Sequence, residues 1–272
     1  MRAALLQMTS GVDPASNAAV LVDAVVHAAA DGAAMLFTPE MSGLLDRDRA
    51  RAAASIVVEE EDRVLAAVRD AAARTGLWVH LGSLAVRNGD RYANRGFVID
   101  GGGAIRARYD KLHLFDVDLP SGESWRESAA YRAGDTAVVV ATPMGRLGMS
   151  ICYDLRFSYL YRALSDAGAE LLAVPAAFTR PTGAAHWHTL LRARAIEAGC
   201  FVLAAGQTGE HADGRATFGH ALAVDPWGAV LLDMGEEAGL GFVELAPDRL
   251  AEVRAQIPAL QHRRTIPPVT VA

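Results

Sequence analysis

Cysteine is scarce in this chain: Cys152 and Cys200 are the only two among 272 residues. A chain of that length can bury a substantial core without covalent staples, so a disulfide framework is not needed, and reduced thiols in a cytoplasmic setting are the expectation. No stretch is uniformly apolar over the length a bilayer requires, which argues against a membrane span. Positive charge is not in excess either. A net charge of −6 disfavours a nucleic-acid platform or a basic membrane-surface protein. The start, MRAALLQMTSGVDPASN, lacks the separate charged and apolar regions of a signal peptide and reads as a strand followed by a helix start. Linkers, repeats and low-complexity tracts are also missing, so one domain over residues 1–272 is expected.

What is present is an ordinary globular composition, 51% apolar and 21% charged. Short apolar runs at 3–8 and 33–38 read as buried strands, separated by a helix that Asp13 caps, Pro14 opens and Gly32 closes. A second helix, acidic at Glu59, Glu60, Glu61 and Asp62, is predicted to run to Gly76. Strands at 77–86, 92–99 and 104–109 follow without a helix between them. Residues 111–135 show no periodicity, and long unpatterned stretches of this kind are usually functional or disordered. Alternation then resumes. Strands are expected at 137–141, 147–151, 170–175, 200–206, 220–225, 229–233 and 239–245. Helices carry Leu160 to Ala167, 183–199 and 247–256. Single strands mixed with hairpins suggest a layered α/β fold with mixed sheets.

Cys152 ends the apolar run Leu147–Ile151 just before a helical pattern. At such a junction a helix N-terminus can stabilise a thiolate and backbone amides can bind an oxyanion. An isolated cysteine is more often a small buried hydrophobe, which is how Cys200 reads. Glu40 follows the run Met35–Phe37, at the carboxyl end of a strand where α/β sheets collect their sites. Lys111 stands likewise after strand 104–109. Alone, an acid or a lysine in these places is a loop or surface residue.

Together the three positions are specific. Phe37-Thr38-Pro39-Glu40, Tyr109-Asp110-Lys111-Leu112-His113-Leu114-Phe115 and Ile151-Cys152-Tyr153-Asp154-Leu155-Arg156-Phe157 resemble, in order and separation, the three catalytic blocks of the nitrilase (carbon–nitrogen hydrolase) superfamily. Similarity continues to Gln261-His262-Arg263-Arg264. The resemblance implies an α-β-β-α sandwich whose protomers pair across a helical face, so a homodimer or higher homo-oligomer is expected. It also implies an amidase using Cys152 as nucleophile, Glu40 as base and Lys111 beside the reacting carbonyl, without metal or cofactor. A second glutamate in the 111–135 segment is implied as well. It is placed at Glu127, because Trp125-Arg126-Glu127-Ser128 resembles the family's loop, with Glu123 as the alternative.

The second half bears on the substrate. Thr182-Gly183, His186-Trp187, Leu190 to Glu197, Gly219-His220 and Val224-Asp225-Pro226-Trp227-Gly228 look like the deaminated-glutathione amidase branch. That branch implies cleavage of a 2-oxoglutaryl–Cys-Gly amide, a metabolite-repair reaction; an ω-amidase acting on 2-oxoglutaramate is the alternative. A substrate anionic at both ends needs local donors. Tyr153 through its N–H, Arg156, Arg180 and the backbone at Ala177 and Phe178 are the candidates, whereas Arg192 and Arg194 are assigned to packing or a dimer face. His186-Trp187-His188 is not expected to hold a metal, since residues two apart on a helix point to different faces. A papain-like pair with His220 as base would leave Glu40 and Lys111 unexplained. A catalytically inactive binding protein on this fold would not need every catalytic residue type to be present.

Overall fold

Two six-stranded sheets account for the alternation of short apolar runs. The computed structural model describes residues 1–118, 122 and 124–271. Its first half comprises β1 (Arg2–Gln7), α1 (Pro14–Ala30), β2 (Met35–Phe37), α2 (Arg49–Ala53), α3 (Arg63–Thr75), β3 (Trp78–Asn88), β4 (Arg91–Ile99), β5 (Ile105–Asp110), β6 (Asp116–Asp118) and β7 (Ser124–Arg126). Its second half comprises β8 (Val139–Thr142), β9 (Gly145–Met149), α4 (Ser158–Asp166), β10 (Leu171–Ala173), α5 (Arg180–Ala198), β11 (Phe201–Ala204), β12 (Thr208–Glu210), β13 (Ala216–Phe218), β14 (Leu222–Val224), β15 (Val230–Asp233), β16 (Gly239–Glu244) and α6 (Pro247–Gln256).

The first sheet has the order β16-β1-β2-β3-β4-β5 and the second β15-β14-β11-β10-β9-β8. In each, three central strands run parallel and the flanking strands antiparallel. Side chains alternate between faces along a strand, and β1 shows the result. Ala3 and Leu5 join the cluster between the sheets, while Ala4 and Leu6 pack with Leu21, Val25, Val68 and Ala72 of α1 and α3. On the far side Leu160 and Leu164 of α4 and Trp187 and Leu191 of α5 cover the second sheet. The architecture is therefore an α-β-β-α sandwich with mixed sheets. Each buried Leu or Val contributes about 1.5–3 kcal/mol, so these layers supply most of the driving force.

Asp13 caps α1 by accepting from the Ala15 and Ser16 N–H groups, and Gly76 ends α3 in the left-handed region at φ +75, both as predicted. The acidic run does not open α3. Glu59–Glu61 forms a separate single turn, and Asp62 caps the helix by accepting from Leu65 N–H. Glu59 is held away from the helix axis by Arg95 and Arg108. Helix α5 begins at Arg180 rather than 183, with Pro181 in its first turn. The unpatterned 111–135 segment contains the β6–β7 hairpin and a short turn at Glu127–Ala129. No helix among the described residues is long and apolar enough to cross a membrane.

One glycine brings the sheets together. A Cβ on Gly82 would lie 2.1 Å from Thr38 O, 2.4 Å from Pro39 O and 2.6 Å from Pro175 Cβ. Only a residue without a side chain lets β3 pass under both the segment leaving β2 and the segment leaving β10.

Candidate active site

Those two segments carry two of the four functional candidates. Glu40 follows β2, Lys111 follows β5, Cys152 follows β9 and Ala177 follows β10. All four strand ends open on one side of the sandwich, where open α/β sheets place their ligands.

Glu40, Lys111 and Cys152 are buried there together. Lys111 Nζ donates to Glu40 Oε1 and to Glu127 Oε2, at 2.9 Å each. Asn94 Nδ2 on β4 bridges the same two carboxylates, at 2.9 Å to Glu40 and 3.1 Å to Glu127. Glu40 Oε2 accepts from Ala177 N–H at 3.0 Å, and Glu127 Oε2 from Phe115 N–H at 2.7 Å. Of the two candidates for the second glutamate, Glu127 lies against Lys111 and Asn94, and Glu123 lies outside the described residues. The Glu40 carbonyl is held from the other sheet by Gln207 Nε2 at 2.9 Å.

Cys152 sits at φ +50, a region that non-glycine residues adopt at a cost of about 1–2 kcal/mol. Met41, directly after Glu40, has φ +54. Strain of this kind persists only where the surroundings fix it. At Cys152 the fixing groups are Pro175, whose carbonyl accepts the Cys152 N–H at 2.9 Å, and Asp154. Asp154 is fully buried and accepts from Ile151 N–H, His113 N–H and the Tyr109 hydroxyl, tying the cysteine turn to the strand end that carries Lys111. Tyr153 lies in the first turn of the short helix Cys152–Arg156, where an N–H has no intrahelical acceptor. That turn is five residues long and separate from α4, so a long helix does not aim its dipole at the sulfur.

Electrostatics set the resting protonation. Burial would raise the Glu40 carboxyl, but the Lys111 charge, the Cys152 thiol and Asn94 outweigh it and hold the group below its ordinary range. Burial would lower Lys111, and the Glu127 and Glu40 carboxylates reverse this, leaving the ammonium well above its usual value. The Cys152 thiol is pushed well above its usual value, by burial first and then by the Glu40 charge; Lys111 and the Ala177 N–H offset only part of this. The resting site therefore contains a thiol, a carboxylate and an ammonium, and the thiolate expected from a helix N-terminus is not its resting form.

A cavity of about 410 Å³ opens onto these groups. Tyr153, Arg156, Ala177 and Phe178 line it, as the sequence suggested. The Arg156 guanidinium lies over the Tyr153 and Phe178 rings and 3.2 Å from His186 Nδ1. Arg180 does not line the cavity. It opens α5, half exposed and 3.9 Å from Glu210, because the helix starts a turn earlier than predicted and carries Arg180 to the outside. Arg194 packs as foreseen, donating to Leu155 O.

Asn94, Asp154, Arg47 and Arg215 were not anticipated as site residues. An asparagine inside the otherwise strand-like run 92–99 was the available signal for the first. For Arg47 and Arg215 sequence carried none, since arginines are abundant in this chain. His188 also departs from expectation. It and His186 diverge, but His188 meets His220 and Asp233, with donor atoms within 4.8 Å. Both Asp233 oxygens are already engaged, by His188 at 2.9 Å and His220 at 2.8 Å, which closes the cluster on itself.

A buried cysteine facing a carboxylate–ammonium–carboxylate row at the strand ends of an α-β-β-α sandwich defines a carbon–nitrogen hydrolase. The chain belongs to that family: the Carbon-nitrogen hydrolase pattern matches residues 2–255. Its relatives include the deaminated glutathione amidase of Yersinia enterocolitica, 39% identical over 97% of this chain and 93% of that protein. Another, from a Synechocystis species, is 42% identical over 96% of this chain and 97% of that protein. Among solved structures, the C. elegans NitFhit protein superposes with a TM-score of 0.90 at 37% identity. The match covers 97% of this chain and 65% of that longer one.

Proposed function

We propose that the chain hydrolyses deaminated glutathione to 2-oxoglutarate and Cys-Gly, through a thioester on Cys152. The observation that carries the chemistry is the buried Lys111 held between Glu40 and Glu127 beside a neutral Cys152 thiol. The substrate rests on the likeness to the two bacterial amidases.

In this mechanism Glu40 takes the Sγ proton as the sulfur attacks the amide carbonyl, so thiolate and electrophile appear in the same step. Lys111 has three N–H donors and spends two on Glu40 and Glu127. The third and the Tyr153 N–H face the developing oxyanion, each worth roughly 3–4 kcal/mol in the transition state. Collapse breaks the C–N bond as Glu40 returns the proton to the departing nitrogen, leaving a thioester. Glu40 then deprotonates water, the hydroxide displaces Sγ, and the thiol is restored. Glu127 and Asn94 keep Lys111 and Glu40 in place; Arg156, over the cavity rings, binds the carboxylate of the 2-oxoacyl half.

We further infer that the chain works as one unit over residues 1–272, in the cytoplasm and as a homodimer. The free thiols of Cys152 and Cys200 support the compartment. The exposed apolar side chains Ile196, Trp227, Val230 and Leu231 support pairing with a second copy.

Steady-state hydrolysis of deaminated glutathione against 2-oxoglutaramate, with Cys152→Ala as blank, tests the proposal. Strong preference for the peptide-like substrate, a mass increment of one 2-oxoacyl group on trapped enzyme and a dead Cys152→Ala are expected. Preference for 2-oxoglutaramate would make the chain an ω-amidase, and turnover by Cys152→Ala would end the mechanism.

A further inference from the structure

The proposed substrate ends in a carboxylate on each side of the scissile bond, and Arg156 accounts for one. The cavity wall contains a second cationic feature outside the catalytic row. Trp125, on β7, carries the Arg215 guanidinium 4.9 Å from its ring and that of Arg47 at 5.5 Å. All three line the cavity.

This corner is built rather than accidental. Asp213, whose side chain is wholly buried, accepts Arg215 Nε at 2.7 Å and the Arg47 backbone N–H at 2.8 Å, fixing both arginines from behind. That bond uses only the Nε of Arg215 and leaves its outer N–H edge to the cavity. The Arg47 guanidinium makes no ion pair among the described residues. The nearby Asp46 carboxylate feels the Arg215 charge but is hydrogen-bonded through both oxygens to Arg51, at 2.6 and 2.8 Å. Two guanidinium groups on one stretch of cavity wall match a carboxylate, not a cation or a neutral chain.

Position in the cavity gives the direction. Glu40 must face the departing nitrogen, and the wall that continues from Glu40 along the chain is Met41 to Arg47. Arg156 stands at the other end of a row of rings. Trp125 neighbours Phe115 at 6.3 Å, Phe115 neighbours Tyr153 at 5.1 Å, and Arg156 lies 5.9 Å from Tyr153. We propose that Arg47 and Arg215, carried on the Trp125 ring, form a specificity subsite for the terminal carboxylate of the leaving amine, so that the enzyme selects amides whose departing half is itself an amino-acid or peptide acid. The inference rests on the amidase reading above and adds the far end of the substrate to it.

The test pairs deaminated glutathione with its C-terminal carboxamide, which shares the acyl half and the scissile bond and lacks only the terminal charge. Wild-type enzyme should favour the acid in kcat/KM by roughly tenfold or more. In Arg215→Gln and Arg47→Gln that ratio should shrink, approaching unity in the first. A uniform loss on both substrates leaves the ratio intact and overturns the subsite, as does a wild-type ratio near one. Cleavage of neither substrate by wild-type enzyme would instead overturn the amidase reading, and the subsite with it. Arg47→Gln, at an exposed side chain, guards against a variant that merely misfolds.

Discussion

Of the 26 lysine and arginine side chains, Lys111 is the only lysine. A guanidinium is planar and broad, whereas an ammonium is a compact charge with three donors that can point in three directions. At 2% exposure, between two carboxylates and, in the proposed mechanism, a reacting carbonyl, only the compact group meets all three. The protonation pattern around it makes a prediction. Glu40 lies below its ordinary 4.5 and Cys152 well above its ordinary 9.0, so the form the proposed mechanism requires, carboxylate with thiol, spans the whole neutral range. The profile of kcat/KM against pH should be flat from roughly 5.5 to 8.5, losing activity in acid only as Glu40 is protonated below 4.5. An inflection near 6 to 7 would mean that a different base is at work. At this scale the sequence was most legible where identity and spacing coincide, as at Glu40, Lys111 and Cys152. Asn94 and Asp154 escaped because their significance lies in partners 54 and 41 positions away along the chain. Nothing in the identity of Met41 signals its left-handed backbone.

Helices and strands were legible where a local signal exists. Asp13 and Pro14 marked the start of α1, Gly76 marked the end of α3, and residues 247–256 coincide with α6. The β6–β7 hairpin and the β12–β13 pair escaped because they are short and largely polar, without the apolar run that marked the equally short β2, β10 and β14. Helix α5 starts three residues earlier than predicted, and Arg180 stands at the surface instead of lining the cavity. Gly82 is the element-scale feature with the clearest consequence. Alanine there would meet two backbone carbonyls that cannot rotate away. Gly82→Ala is expected to destabilise by about 3 kcal/mol or more, the upper end of overpacking. Because Thr38 and Pro39 lead straight into Glu40, kcat should also fall by roughly a hundredfold. Denaturant titration and turnover of the same variant check both; full activity in a stable variant would show that the strand has room to move.

Across the whole molecule, stability should depend on one histidine buried between the layers. His80 on β3 is 1% exposed, lies 5.6 Å from the Phe37 ring, and has no hydrogen-bond partner on either nitrogen among the described residues. Burial pushes its pKa down from 6.5 to about 3. Above pH 6.5 neither folded nor unfolded chain protonates it, and it has no effect on the balance. Between 6.5 and 3 the unfolded chain binds a proton that the folded one refuses, so stability falls as pH drops, by up to about 1.4 kcal/mol per unit. Urea midpoints measured from pH 7 to 4.5 should decline, and His80→Leu should flatten that decline by about one proton.

The sandwich divides its proposed chemistry between the two sheets. Asn94 stands on the first sheet and Glu40 and Lys111 leave from it, Cys152 and Ala177 from the second. Base and nucleophile are therefore mounted on opposite plates, and the filling between the plates sets their separation as a shim sets a gap. Phe37, Met149 and Ile151 belong to that filling without lining the cavity, yet each helps gauge the distance the proposed proton transfer must span from sulfur to carboxylate. Turnover in this enzyme is open to tuning from its interior, by altering core volume alone, with every residue at the cavity surface unchanged.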